Sequence, residues 1–213
     1  MSLHPARFRY SSLLVAILAL LFLHPYLGHG PLQRLLQTGF FSAVMVAAVF
    51  AVSRTRAQSL IGLALGVPHF GSLWVAHLTE TTPWISLAAA TGVAFFLYAV
   101  IILLLGVVRA ERITQDTVYG ALCTYLLLGI TWTYAYVLVE SLVPGSFEGG
   151  RDGRPVDFLY FSYVTLTTLG YGDILPVTAK AKSLAMMEAA AGVIFTAVTI
   201  ARVVGMLQAP DDR

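Results

Sequence analysis

Long stretches without a single charged side chain dominate this sequence and fix what it can fold into. Tyr10–Leu27 and Leu35–Val52 hold 18 residues each, Ser59–Leu78 holds 20, Trp84–Val108 holds 25 and Thr117–Val139 holds 23. Ser183–Ala201 holds 19 and contains one charge, Glu188. An apolar helix of about 20 residues matches the thickness of a bilayer core. Inside lipid every backbone N–H and C=O must find a partner within the protein, which a helix provides for itself. The runs therefore predict an all-α membrane protein with six transmembrane helices. Composition agrees: 58% of residues are hydrophobic and 11% charged, against roughly 25% charged in soluble domains. Of 24 charged residues, 23 lie outside the six runs. A net charge of +2, with arginines scattered along the chain, gives no basic patch for nucleic acid. The single cysteine, Cys123, rules out an intrachain disulfide and a multi-cysteine zinc site, and its apolar surroundings predict a buried, inert thiol.

The first run follows Arg7 and Arg9, as a secretion leader would, but it exits through His24-Pro25-Tyr26 with no small-residue cleavage pattern. A retained helix is the expectation. With both termini cytoplasmic, Arg7, Arg9, Arg54, Arg56, Arg109, Arg112, Arg202 and Arg213 fall inside, and Arg34, Arg151, Arg154, Lys180 and Lys182 fall outside. This is the orientation that the excess of cytoplasmic arginine favours. Glu80, Glu140, Glu148, Asp152, Asp157 and Asp173 partly balance the outer cations. Trp74 and Trp84 flank the outer turn between spans three and four, as interfacial anchors or as packing aromatics.

Spans five and six are separated by more than 40 residues on the outer side. Val143-Pro144-Gly145 and Gly149-Gly150 predict a polar turret. The run Asp157 to Thr168 is apolar but too short to cross, so it must re-enter and leave on the same side, shielded by protein. Asp157 is placed to cap a short helix there.

Directly afterwards stands Thr168-Leu169-Gly170-Tyr171-Gly172-Asp173. Glycine adopts positive φ where other residues resist it. Alternating such positions lets successive carbonyls point to one side, and four chains around an axis would then form rings of oxygen able to replace the water shell of a potassium ion. Thr168 adds a ring of hydroxyls at the inner end. The C-terminal end of the short helix, near Thr167, brings the partial negative charge of unpaired carbonyls.

Thr167-Thr168-Leu169-Gly170-Tyr171-Gly172-Asp173, with Pro176-Val177-Thr178 beyond it and Gly192 twenty residues after Gly172, resembles the signature of the tetrameric potassium-channel family of pore-loop cation channels. The likeness covers about Thr117 to Leu207. It implies a homotetramer in the plasma membrane, surrounded by lipid, with potassium ions in the filter and no organic cofactor. By resemblance the selectivity filter is Thr168, Leu169, Gly170, Tyr171 and Gly172, with potassium held by Thr168 to Tyr171. Asp173 stands at the outer mouth. Tyr160, Val164, Thr167 and Glu188 support the filter, Tyr160 by holding Asp173. Gly192 takes the place of an inner-helix hinge, and Val193, Thr196 and Ile200 face the cavity. The family pattern has Val where this chain has Leu169, whose side chain is expected to point away from the ions. A less selective pore-loop channel and a non-conducting partner subunit are the rival readings. No Ser/His pair, His–Glu cluster or intramembrane carboxylate pair supports an enzyme or transporter.

The division expected is a four-helix membrane domain, residues 1–112, and a pore domain, residues 113–213. The six-span layout resembles that of voltage-gated channels, whose fourth span carries arginines at every third residue. Here the first four spans carry none, and Arg109 and Arg112 only mark the cytoplasmic boundary. The expectation is a pore that is not steeply voltage-gated. Gly62, Gly66, Pro68 and Gly71 point to close packing in span three. His69 and His77 are eight residues apart, about 12 Å along a helix, too far to share a metal ion. Gly205 reads as a flexible point or a packing site, and the tail ending Pro210-Asp211-Asp212-Arg213 predicts no cytoplasmic ligand-binding domain. Glu188 lies about 140° of helix rotation from Val193, which turns it toward the short helix. There it must be hydrogen-bonded or protonated, with Thr165, Thr167 or a pore-segment tyrosine as partner. A clamp behind the filter, a proton-sensitive gate and a cavity-facing ring are its three readings.

Overall fold

A computed structural model describes residues 9–23, 26, 30–110, 114–149 and 155–208. Arg7, His24, Pro25, His29, Arg112, Gly150, Arg151, Asp152, Arg154 and the tail from Pro210 to Arg213 lie outside the described residues, as does the expected domain boundary at 112/113. The chain is an all-α membrane protein. Among the described residues seven helices follow one another: α1 (Arg9–Leu23), α2 (Pro31–Val52), α3 (Arg56–Thr79), α4 (Thr82–Val108), α5 (Gln115–Leu142), α6 (Pro155–Leu166) and α7 (Ala179–Gln208). Two short strands, β1 (Phe147–Glu148) and β2 (Leu175–Pro176), pair antiparallel on either side of α6.

Five of the helices, α2, α3, α4, α5 and α7, are long and apolar enough to cross a membrane. The expected first span, Tyr10–Leu27, is helical as α1 for 15 residues, about 22 Å at 1.5 Å per residue. Residues 24, 25 and 27 of that span lie outside the described residues.

Local sequence explains the boundaries. Thr55 and Thr114 each accept the backbone N–H three residues on, and the side chains of Gln58 and Thr117 reach back to complete capping boxes at the starts of α3 and α5. Proline stands in the first turn of α2 and α4, where no helical hydrogen bond is lost. Helix α6 is described from Pro155. Asp157 therefore sits inside the helix and not before it as a cap.

Helices α1 to α4 pack in sequence, α1 and α4 also lie against α5, and α5 in turn carries α6 and α7. One face of α3 is made of Gly62, Gly66, His69 and Ser72. A Cβ on Gly62 would stand 3.4 Å from Val52, and one on Gly66 the same distance from Phe95. Small residues here let α3 approach α2 and α4, the packing role expected of Gly62 and Gly66, whereas Gly71, with nothing within 4 Å of a Cβ, and Pro68 are exposed. His69 is buried among Phe95, Phe96 and Tyr134, and His77 Nδ1 lies 3.1 Å from Thr38 Oγ1. The two histidines belong to separate contacts, and the described residues hold no His, Cys, Asp or Glu cluster fit for a metal. Trp74 hydrogen-bonds Ser42 at 3.2 Å across α2 and α3 and packs on Phe70 and His77. Cys123 is buried, its thiol 3.3 Å from the Tyr10 carbonyl.

The tightest joint between the leading helices and α5 is at Gly92. A Cβ there would lie 2.6 Å from the Tyr134 ring, closer than carbon atoms pack. Gly92→Ala is expected to destabilise the protein by about 1–3 kcal/mol through overpacking. Thermal unfolding of the detergent-solubilised variant should show a clearly lowered midpoint. An unchanged midpoint would show that α4 and α5 are not in such close register.

Candidate functional site

The site is assembled on α6, a 12-residue helix between α5 and α7. Phe158, Leu159, Phe161, Ser162, Val164 and Leu166 of α6 are buried. Tyr136 of α5 and Phe147 of β1 pack their rings on Phe158 and Phe161 with centroids 4.9–6.5 Å apart. The aromatic contacts fix α6 at its sides, and polar contacts fix its depth.

Glu188 provides those contacts. It is fully buried on α7. Its Oε2 accepts from the Tyr136 hydroxyl, and its Oε1 lies 2.5 Å from Ser162 Oγ. Ser162 Oγ is also 2.7 Å from the Gly129 carbonyl of α5. One hydroxyl proton cannot serve both acceptors. Three contacts need three protons, and the two hydroxyls supply two. A proton on the Glu188 carboxyl, given to Ser162 while Ser162 gives its own to Gly129, completes the set. The expected direction of Glu188 thus agrees with the geometry, but its partners differ. Thr165 and Thr167 make no contact with it, the tyrosine comes from α5, and the pore-helix partner is Ser162. Thr167 Oγ1 instead donates to the Tyr163 carbonyl at 2.6 Å. A β-hydroxyl one turn down the same helix competes locally and wins.

Two glycines allow the close approach. A Cβ on Gly129 would lie 2.9 Å from the Tyr163 ring, and one on Gly192 would lie 2.2 Å from the Leu166 carbonyl oxygen. Helix α7 runs unbroken through Gly192. The visible requirement for glycine there is contact with the end of α6.

The end of α6 passes directly into the segment Thr168–Asp173, the expected filter. The Val164 carbonyl accepts the backbone N–H of Leu169 at 2.9 Å and of Gly170 at 3.3 Å, and the Thr165 carbonyl accepts that of Thr168 at 2.9 Å. The Tyr125 hydroxyl reaches the Leu166 carbonyl at 3.3 Å. The terminal carbonyls are therefore partnered, contrary to the sequence expectation, because the chain folds back on the helix end. Gly170 and Gly172 have φ of +59° and +78°, as alternation requires, and Thr168 has φ of +58°. A β-branched residue resists that conformation, so the filter base is held by its surroundings.

The outer end is tied twice. Tyr160 donates to Asp173 Oδ2 at 2.7 Å. This hydrogen bond is the main reason the phenol is pushed up to about 12, so Tyr160 remains a donor at neutral pH. Gly149, at φ +94°, lies so close that a Cβ would stand 1.9 Å from the Asp173 carbonyl oxygen. Strand β1 pairs Phe147 with Pro176 and Glu148 with Leu175. Glu140 closes the turret by accepting the N–H groups of Gly145, Ser146 and Phe147 at 2.8–3.2 Å. Sequence reading missed Ser162, Tyr136 and Glu140. A lone acid at each end of the pore segment was the available signal.

Leu169 and Tyr171 are 54% and 66% exposed, and Val193 and Ile200 of α7 are 55% and 59% exposed. Thr196 is exposed too, with its hydroxyl on the Gly192 carbonyl at 3.0 Å. The residues expected in the filter and along the inner helix are thus exposed, as is Tyr160, while Val164 and Glu188 are buried.

Residues 120–209 match the family described as Ion channel. Two-pore potassium channel 4 of Arabidopsis thaliana is 37% identical over 98 residues, which is 44% of this chain and 34% of that protein. Two pore potassium channel b of Oryza sativa subsp. japonica is 44% identical over 72 residues, 34% of this chain and 19% of that protein. The inward rectifier potassium channel Kirbac3.1 of Paramagnetospirillum magnetotacticum is 31% identical over 74 residues, 35% of this chain and 24% of that protein. The chain thus spans about a third or less of the length of these curated relatives. No solved structure matches at a comparable level.

The polar clamp yields a graded expectation. Glu188→Gln keeps an acceptor for Tyr136 and a donor for Ser162, so thermal stability should stay near that of the parent. Glu188→Ala leaves a buried tyrosine hydroxyl unpaired and should lose about 1–3 kcal/mol. A Gln variant as unstable as the Ala variant would contradict the three-proton arrangement.

Proposed function

We propose that residues 120–209, which match the Ion channel family, form a pore of the pore-loop potassium-channel kind, and that the chain is a potassium-selective channel that conducts passively. The single observation that carries this reading is the exposed extended segment Thr168–Asp173, with positive φ at both Gly170 and Gly172, at the end of a buried helix too short to cross. Its carbonyls, contributed by Thr168, Leu169, Gly170 and Tyr171, replace the hydration shell of potassium when four strands surround an axis. The motif occurs once in this chain, so a homotetramer supplies the four strands. The exposure of Tyr171, Val193 and Ile200 supports this, since it leaves that surface free to pack against other copies. Val193, Thr196 and Ile200 line the inner cavity, Asp173 draws cations to the outer mouth, and Gly192 lets α7 bend as well as pack. The relatives named as potassium channels support potassium as the ion.

Residues 1–112 form a brace and residues 113–213 the pore in this reading, in a plasma membrane with both chain ends on the cytoplasmic side. Arg54, Arg109 and Arg202 sit at one end of the bundle, where Arg54 contacts Tyr10 and Arg202 donates to the Ala110 carbonyl at 2.8 Å. Gating by voltage needs charge that moves through the field, worth about 2.3 kcal/mol per elementary charge per 100 mV. The leading spans hold none.

Purified protein in liposomes should take up radioactive rubidium against a potassium gradient, with potassium in excess inhibiting and sodium not. Gly170→Ala places a methyl group at φ +59°, where L-residues are strained. It should abolish selective uptake, and a variant with unchanged discrimination between potassium and sodium would refute the carbonyl-ring reading. In planar bilayers the conductance should vary only weakly with potential once blocking ions are removed. A gating charge of several elementary units per channel would refute the brace assignment.

A further inference from the structure

At the end of the bundle away from the turret, Tyr10, Arg54, Gln58, Gly106, Arg109 and Asp116 surround a cavity of about 380 Å³. It joins the ends of α1, α2, α3 and α4 to the start of α5, and it lies outside the pore segment. Arg54 is built into its wall. The Tyr10 hydroxyl accepts from the guanidinium, which also lies over the Tyr10 ring, 5.6 Å from its centroid. A Cβ on Gly106 would stand 3.2 Å from Nη2 of Arg54, so the guanidinium lies across α4 because residue 106 has no side chain.

Among the described residues the ion pair is Arg34 with Glu80, and neither Arg54 nor Arg109 has a carboxylate within 4 Å. Asp116 is the one acid in the wall and offsets one of the two charges. Thr114 and Thr117, also in the wall, mark the N-terminus of α5, whose dipole adds to the positive potential. The remaining wall includes Ile102, Leu105 and Val107. Two arginines beside an apolar flank, at the level where the spans end, match the junction of a phosphate headgroup with its glycerol and acyl chains. A free anion would satisfy the arginines and leave the apolar flank wet.

We infer that this cavity binds the anionic phosphate headgroup of a membrane lipid from the leaflet at this end of the bundle. The occupant would also touch a residue bonded to the inner helix, because Ala110 lines the cavity and its carbonyl accepts from Arg202 Nη2 of α7 at 2.8 Å. The lipid would thereby tie the leading helices, the α4–α5 connection and the end of α7 into one unit. The inference concerns binding and stands apart from whether the pore conducts.

Native mass spectrometry of the purified full chain in detergent, titrated with phosphatidic acid and with phosphatidylcholine, tests it. The parent protein should retain phosphatidic acid in preference to phosphatidylcholine. Arg54→Gln and Arg109→Gln should each lower that retention about tenfold, the loss of one charge-assisted hydrogen bond. Arg56→Gln, an exposed arginine at the same end but outside the cavity, should leave it unchanged. Arg109 makes no side-chain hydrogen bond among the described residues, so its variant reads binding even if Arg54→Gln unfolds when Tyr10 loses its partner. Absence of preference for phosphatidic acid overturns the inference. So does an equal loss in Arg56→Gln, which would mean diffuse surface charge, or displacement of the lipid by equimolar inorganic phosphate, which would mean a free-anion site.

Discussion

Everything at the candidate pore depends on how a 12-residue helix is held inside a membrane that it cannot cross. Such a helix exposes its terminal backbone groups to a medium without water, so its position must be secured by protein. Glu188 secures it. One carboxyl group joins Ser162 of α6 to Tyr136 of α5 from its place on α7, and Ser162 passes the connection on to the Gly129 carbonyl. A buried polar group of this kind is costly when unpaired and specifying when fully paired. The arrangement fixes the depth of α6, and with it the level of the strand that leaves its end.

Close backbone approach completes what the hydrogen bonds begin. Between apolar helices in lipid, hydrophobicity does not favour contact over lipid exposure, and packing must supply the attraction. Glycine at 92, 129 and 192 lets α5 receive α4, and lets α5 and α7 receive α6, at distances that a methyl group would forbid. Helix α5 is the common member, with Tyr134 against the leading helices and Tyr136 against α6. The leading helices are thereby mechanically continuous with the filter's support. The arginine-lined cavity lies at the far end of the same continuity, where α4, α5 and the end of α7 meet.

Much of this was legible in the sequence because it follows from length and charge. Five of six apolar runs correspond to long helices, and the short run from Asp157 became a helix that cannot span. The direction of Glu188 followed from helical rotation alone. Its partners did not, since Ser162 and Tyr136 are ordinary residues whose meeting with Glu188 is a tertiary event. Asp157, expected as the cap of α6, lies inside that helix. The carbonyls at its end were expected free, whereas the positive φ of Thr168 turns the chain back onto them. Glu140 went unread because the N–H groups it gathers are made available by the turn itself.

The central claim is that four strands Thr168–Gly172 enclose a row of dehydrated cation sites. Determining the structure of the purified protein with thallium or rubidium in place of potassium tests it most directly. The account predicts a tetramer with heavy-ion density stacked on the axis between the carbonyls of Thr168 and Tyr171, and that density lost when sodium replaces the heavier cation. An assembly of another order, or an axis bounded by these strands and free of heavy-ion density, would contradict it.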